Sequence, residues 1–179
     1  MTRSTNIGVL LAALQLSIAG SSAGAQAAAR QGRVLDACTL LSTTEIQRLA
    51  GRNDVATSPP DPDETPTAFH TNCIFWGAFD IGISLNRTTK DGYARMRDNN
   101  AKDPRKLGNR VEPIRGLGDD AYYFIEAGRS PRTHVEALVG DRQLSVILGR
   151  ITGPGKLPPE PEAKRIALIL AQALVPKVR

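Results

Sequence analysis

One stretch near the middle of the chain limits what it can fold into. Gly116-Leu117-Gly118-Asp119-Asp120 runs directly into Ala121-Tyr122-Tyr123-Phe124-Ile125, and two more β-prone runs follow, Thr133–Val139 and Gln143–Leu148, joined by Gly140-Asp141-Arg142. Val135, Ala137 and Val139 alternate with His134, Glu136 and Leu138, and Leu144, Val146 and Leu148 alternate with Ser145 and Ile147. A period of two places neighbouring side chains on opposite faces of a sheet, so adjacent antiparallel strands are predicted. The glycines supply a bulge or a positive φ at the strand entry. They are not a nucleotide fingerprint, which needs a strand before it and a helix after it. Asp119-Asp120 reads as a wet turn, because a calcium site needs several more oxygen ligands.

The segments upstream supply the rest of a sheet and its helices. Ser42-Thr43-Thr44-Glu45 fits a capping box, Leu41 and Ile46 fit a hydrophobic staple, and Gly51 is a natural helix stop. Thr57–Thr67 holds Pro59, Pro60, Pro62 and Pro66 and is expected to be a solvated loop. Thr71–Trp76 reads as a strand turning at Gly77-Ala78 into the next. There Phe79, Ile81, Ile83 and Leu85 alternate with Asp80, Gly82, Ser84 and Asn86, which predicts one buried and one wet face. Thr88 or Thr89 caps a short helix with Tyr93 and Met96 on its apolar face. Asn99–Asn109 then reads as a polar loop, and Val111 and Ile114 as a short strand interrupted by Pro113. A final helix is expected from near Glu160 to about Leu174, ended by Pro176. The fold class is α+β: an antiparallel sheet of about five to six strands with two to three covering helices.

The N-terminus carries an address. Arg3 precedes a mostly apolar run, Ile7–Ala19, too short to span a bilayer, and Ala23-Gly24-Ala25 and Ala25-Gln26-Ala27 are small-x-small cleavage sites. Residues 1–27 are therefore expected to be a signal peptide and residues 28–179 a single exported domain, periplasmic or secreted, without a transmembrane anchor. Cys38 does not follow a lipidation signal. In an exported chain the two cysteines, Cys38 and Cys73, are expected to pair. A zinc site built on them has only His70 nearby in sequence, which is too few ligands.

The chain is basic, with a formal net charge of +5 over 179 residues, but no nucleic-acid motif accompanies the charge. Part of the charge is local. Lys102, Arg105, Lys106, Arg110 and Arg115 face only Asp103 and Glu112 in the same span. This stretch is the candidate partner-binding surface, suited to an acidic protein or anionic envelope polymer. Catalytic signatures are scarce. The chain has neither a Gly-x-Ser-x-Gly elbow nor a His-Glu-x-x-His pair nor a P-loop. His134 is expected on the exposed face of its strand, and an oxidised Cys73 removes the nucleophile that His70 could activate. No catalytic residue, metal ligand or cofactor is indicated.

The segments Asp36-Ala37-Cys38-Thr39-Leu40-Leu41-Ser42-Thr43-Thr44-Glu45-Ile46, Cys73-Ile74-Phe75-Trp76 and Gly116-Leu117-Gly118-Asp119-Asp120-Ala121 resemble a bacterial family of exported domains of unknown function, many of them lipoproteins. The resemblance implies a disulfide at the same two cysteines and a PsbP-like α+β sandwich. It implies no catalytic residues and no ligand. The chain departs from the family in lacking the lipidation cysteine. The function expected is a non-enzymatic binding module at the envelope. The alternatives are a small envelope hydrolase using carboxylates or His70, and a structural accessory subunit of an envelope complex.

Overall fold

A computed structural model describes residues 34–57, 66–67, 69–102, 108–128, 130–150 and 157–179. The expected signal peptide, the tip of the Pro-rich loop, and Arg105 and Lys106 lie outside the described residues. Residues Arg33–Arg179 form one unit, and the fold described is that of this unit.

Its centre is a seven-stranded antiparallel sheet in the order β1-β2-β3-β7-β6-β5-β4. The strands are β1 (Ala56–Thr57), β2 (His70–Trp76), β3 (Asp80–Arg87), β4 (Arg110–Ile114), β5 (Asp120–Glu126), β6 (Arg132–Val139) and β7 (Arg142–Gly149). Among the described residues four helices accompany them: α1 (Ala37–Leu40), α2 (Thr43–Ala50), α3 (Lys90–Lys102) and α4 (Glu160–Val178). The α+β class is as expected, with one or two more strands and with the one-turn α1 in addition.

The Gly-hinged meander is β4–β5–β6–β7. Gly116 and Gly118 have φ of 76° and 62°. At Gly118 a Cβ would lie 2.4 Å from the Leu138 carbonyl oxygen, so the close approach of two backbones itself requires glycine. Asp119 N donates to that same oxygen at 2.8 Å, and Asp119 Oδ2 accepts from Gly140 N at 2.7 Å, tying the hinge to the β6–β7 turn. Helix α3 carries the chain from β3 across to the edge strand β4, and the meander returns to set β7 beside β3.

The main core lies on one face of the sheet. Ile81, Ile83 and Leu85 of β3, Val135 and Ala137 of β6, and Leu144, Val146 and Leu148 of β7 pack there with Ile166, Leu170 and Leu174 of α4 and with Ile46 of α2. Each of the Val, Leu and Ile side chains among these removes apolar area from water worth about 1.5–3 kcal/mol before entropy is charged. The α2 start is as expected, with the Ser42–Glu45 capping box formed and Gly51 left-handed at its end. Cys38 and Cys73 form a disulfide, Cα–Cα 5.0 Å, between α1 and β2. Ala37 N donates to Thr71 Oγ1 at 3.1 Å beside it.

Four expectations are corrected. Helix α3 continues through Asn99 to Lys102, so the polar loop starts later. Strand β4 is not interrupted at Pro113, because it is an edge strand and one side of it has no ladder for the missing N–H to break. Helix α4 passes through Pro176 to Val178. A proline in the last turn removes a single helical bond, and the turn is held by the burial of Val175 and Val178. Lys177 adds to this, with Nζ donating to the Leu40 carbonyl oxygen at 2.7 Å. Finally, the second face of β3 is not wet throughout, since Asp80 and Gly82 are buried there.

Candidate functional site

The second face of the sheet carries the chemistry. The register aligns Tyr122, Glu136, Ser145, Ser84 and Asn72 across β5, β6, β7, β3 and β2. The next row is Phe124, His134, Ile147, Gly82 and Ile74. Helix α3 covers part of this face, with Tyr93 and Met96 packing against Tyr122, Phe124 and Leu138.

Beneath α3 the polar groups satisfy one another. Ser145 Oγ donates to Glu136 Oε1 at 2.7 Å, and Gln143 Nε2 donates to Glu136 Oε2 at 2.7 Å. His134 stands between two carboxylates, Nδ1 3.5 Å from Glu136 Oε1 and Nε2 3.3 Å from Glu126 Oε2. Burial works to lower the His134 pKa, but the two acids outweigh it and the net shift is upward. The Phe124 ring lies 5.1 Å from the imidazole. Tyr93 reaches in from α3, its hydroxyl donating to the Glu136 carbonyl oxygen at 3.0 Å. Burial raises the pKa of both Tyr93 and Tyr122, with neighbouring acids adding to it. Arg97 Nη1 closes the rim on Asp120 Oδ2 at 2.7 Å.

A carboxylate–imidazole–carboxylate chain can hold and pass a proton. It does not form a serine nucleophile, because the Ser145 hydroxyl is bonded to Glu136 and not to the imidazole. Satisfied buried networks of this kind also specify one packing of a core. The expectation of an exposed His134 is therefore corrected: His134 is 7% and Glu136 5% exposed. Alternation assigned both to the second face, and α3 covers that face.

The other residues singled out from sequence are scattered. His70 is exposed on β2, Nδ1 lying 2.6 Å from Asn86 Oδ1. Lys102 is exposed at the end of α3, and Arg115 in the hinge after β4. Arg110 begins β4 and is paired with Glu160, so Arg110 and Arg115 sit at opposite ends of that strand. Lys164 joins the same group, Nζ 2.8 Å from Glu112 Oε2 and 3.0 Å from Glu160 Oε1. Lys164 and then Arg110 hold the Glu160 carboxyl below the usual range. Both acids of Asp119-Asp120 are engaged by protein donors. Among the described residues no group of three or more His, Cys, Asp or Glu is arranged to hold a metal ion.

Sequence reasoning missed Glu126, Glu136, Gln143 and Ser145 as a cluster. The available signal was the short turn at Gly140-Asp141, which sets Val139 opposite Arg142 and hence Glu136 opposite Ser145. No protein-family model matches the chain, and no curated protein matches it.

Proposed function

We propose that this chain is an exported, disulfide-stapled module that recognises a protein or anionic polymer at the cell envelope and does not turn a substrate over. One observation carries the reading. The half-buried Glu126 and the buried His134 and Glu136, all capable of acid–base chemistry, are bonded to one another, whereas Phe69 and Trp76 are 68% and 41% exposed. Exposed aromatic side chains suit recognition, because they bury large area at little entropic cost, and these two mark the opposite ends of β2. Export is supported by the leader pattern of residues 1–27 and by the disulfide, and among the described residues no helix is long and apolar enough to cross a membrane. Lys102, exposed at the end of α3, supplies a cationic contact to an anionic partner, and Arg105 and Lys106 follow it in sequence.

A second reading, a small hydrolase, is favoured by the position of His134 between Glu126 and Glu136. In it the Glu136–His134 pair replaces His70 as the acid–base element, and α3 has to lift for substrate to reach it. One experiment separates the two. Purified protein is mixed with isolated envelope material, depletion from the supernatant is measured, and new reducing ends, amines or phosphate are assayed in parallel. Saturable depletion without product supports the binding module. Product that disappears in Glu136→Gln replaces it with the hydrolase, and neither depletion nor product overturns both.

A further inference from the structure

The start of β2, the end of β3 and the β6–β7 turn meet in a cleft of about 370 Å³ lined by Phe69, Arg87, Thr88, Thr89 and Asp141. The cleft is shallow and opens widely to solvent. The lining is held by its own hydrogen bonds. Arg87 N donates to the Phe69 carbonyl oxygen at 2.8 Å, and Thr88 N to the Asp141 carbonyl oxygen at 2.9 Å. Arg87 Nε donates to Asp141 Oδ2 at 2.9 Å. Three segments distant in sequence are thus fixed to one another before any ligand arrives, which lowers the entropic cost of binding.

Two walls of the cleft have distinct chemistry. One is the Phe69 ring, 68% exposed. The other is the Arg87–Asp141 pair, its side chains 31% and 59% exposed. The Arg87 guanidinium holds the Asp141 carboxyl below its usual range, so it remains an acceptor at neutral pH. The pair uses one guanidinium nitrogen, leaving further donors on Arg87. Thr89 Oγ1 is already engaged, accepting from Gly92 N at 3.0 Å as the α3 cap.

Arg142, opposite Arg87 in the β3–β7 register, adds to the positive field on Asp141, yet a simple anion meets the Asp141 carboxylate and a simple cation meets the Arg87 guanidinium. A neutral ligand with adjacent hydroxyls suits both at once, one oxygen accepting from Arg87 while the next hydroxyl donates to Asp141. The same ligand needs a flat C–H face to lie on the electron-rich face of Phe69. A pyranose ring has this combination. The geometry points to a saccharide-binding site here, its ligand a neutral sugar unit of an envelope polymer. This inference rests on the envelope-binding reading and narrows it to one ligand class.

The test is an amide chemical-shift titration of the purified protein with maltose, cellobiose and N,N′-diacetylchitobiose in turn, and with inorganic phosphate. The sugars are taken to roughly 10 mM, enough to approach saturation of a site with a millimolar Kd. Saturable shifts at Phe69, Arg87–Thr89 and Asp141 with at least one sugar are expected. Binding should weaken roughly tenfold or more in Phe69→Ala and in Asp141→Asn, as for a hot-spot contact. Both side chains are exposed, so both variants are expected to fold. Absence of shifts with all three sugars, shifts unaffected by both substitutions, or saturation by phosphate instead overturns the proposal. Co-sedimentation with envelope material is run on the same samples. A wild type retained by the envelope but blind to the sugars overturns the cleft alone, and one not retained overturns the broader reading as well.

Discussion

Glu136→Gln is the substitution whose outcome the structure constrains most. The side chain keeps its shape but loses its charge at a site where both oxygens accept, from Ser145 Oγ and Gln143 Nε2, and where His134 Nδ1 lies 3.5 Å away. A glutamine has one acceptor oxygen, so its amide must face either the Gln143 amide or the Ser145 hydroxyl. The hydroxyl can rotate to accept, whereas the Gln143 amide must flip to present its carbonyl oxygen and gives up its Nε2 contact to Met96. Replacing two charge-assisted bonds by neutral ones costs about 1 kcal/mol each, less what is regained by no longer burying a carboxylate. The expected loss is about 1–2 kcal/mol, or roughly 2–8 °C in Tm for a domain of this size. The loss depends on pH through His134. Its folded pKa is raised, so the stability it contributes is fully present below about pH 6.5 and is lost as the pH rises through the folded value. Removing Glu136 removes part of that upward shift. Urea unfolding of both proteins at pH 5.5 and at pH 8.5 reads the effect, with the larger difference at the lower pH. An equal difference at both pH values would show that His134 is not coupled to Glu136, and no loss at either would refute the network.

Three further outcomes follow from particular contacts. Cys73→Ser should lower stability by about 3–4 kcal/mol in the chain-entropy model, given a sequence separation of 35, and non-reducing peptide mapping should link Cys38 to Cys73. Two alkylatable thiols in the oxidised protein would contradict this. Gly118→Ala should cost more than Gly116→Ala. Both have positive φ, worth about 1–2 kcal/mol for a residue with a Cβ, but only at Gly118 would the added Cβ also run into the Leu138 carbonyl oxygen. Equal denaturation midpoints for the two variants would rule out the close backbone approach. Intact mass of protein from the envelope fraction should show a chain beginning at Gln26 or Ala28, and retention of Met1 would contradict cleavage of the leader.

Local signals were legible and cover was not. The Ser42–Glu45 capping box and the Gly51 stop each depend on residues a few positions apart, and each is present; β3 is a strand as its alternation predicts, but its second face is wet only toward Arg87. The hinge glycines were also legible, because positive φ is a local demand. His134 and Glu136 illustrate the opposite case. Alternation assigns them to the second face, but whether that face is wet depends on where Tyr93 and Met96 of α3 land, forty residues earlier in the chain. Pro113 and Pro176 misled for a related reason, since an edge strand and a last helical turn both tolerate what their interiors do not. The basic residues between Lys102 and Arg115 are close in sequence, yet β4 separates Arg110 from Arg115 and Glu160 pairs with the former.

The binding-module account is tested most directly by isotherms on isolated envelope material for wild type, Glu136→Gln and the Phe69→Ala, Trp76→Ala double variant, at low and physiological salt. The expected result is saturable binding that weakens with salt. Glu136→Gln should match wild type, and the aromatic double variant should bind roughly tenfold more weakly or worse. Wild-type affinity in the double variant, or a folded Glu136→Gln that has lost binding, would contradict the account.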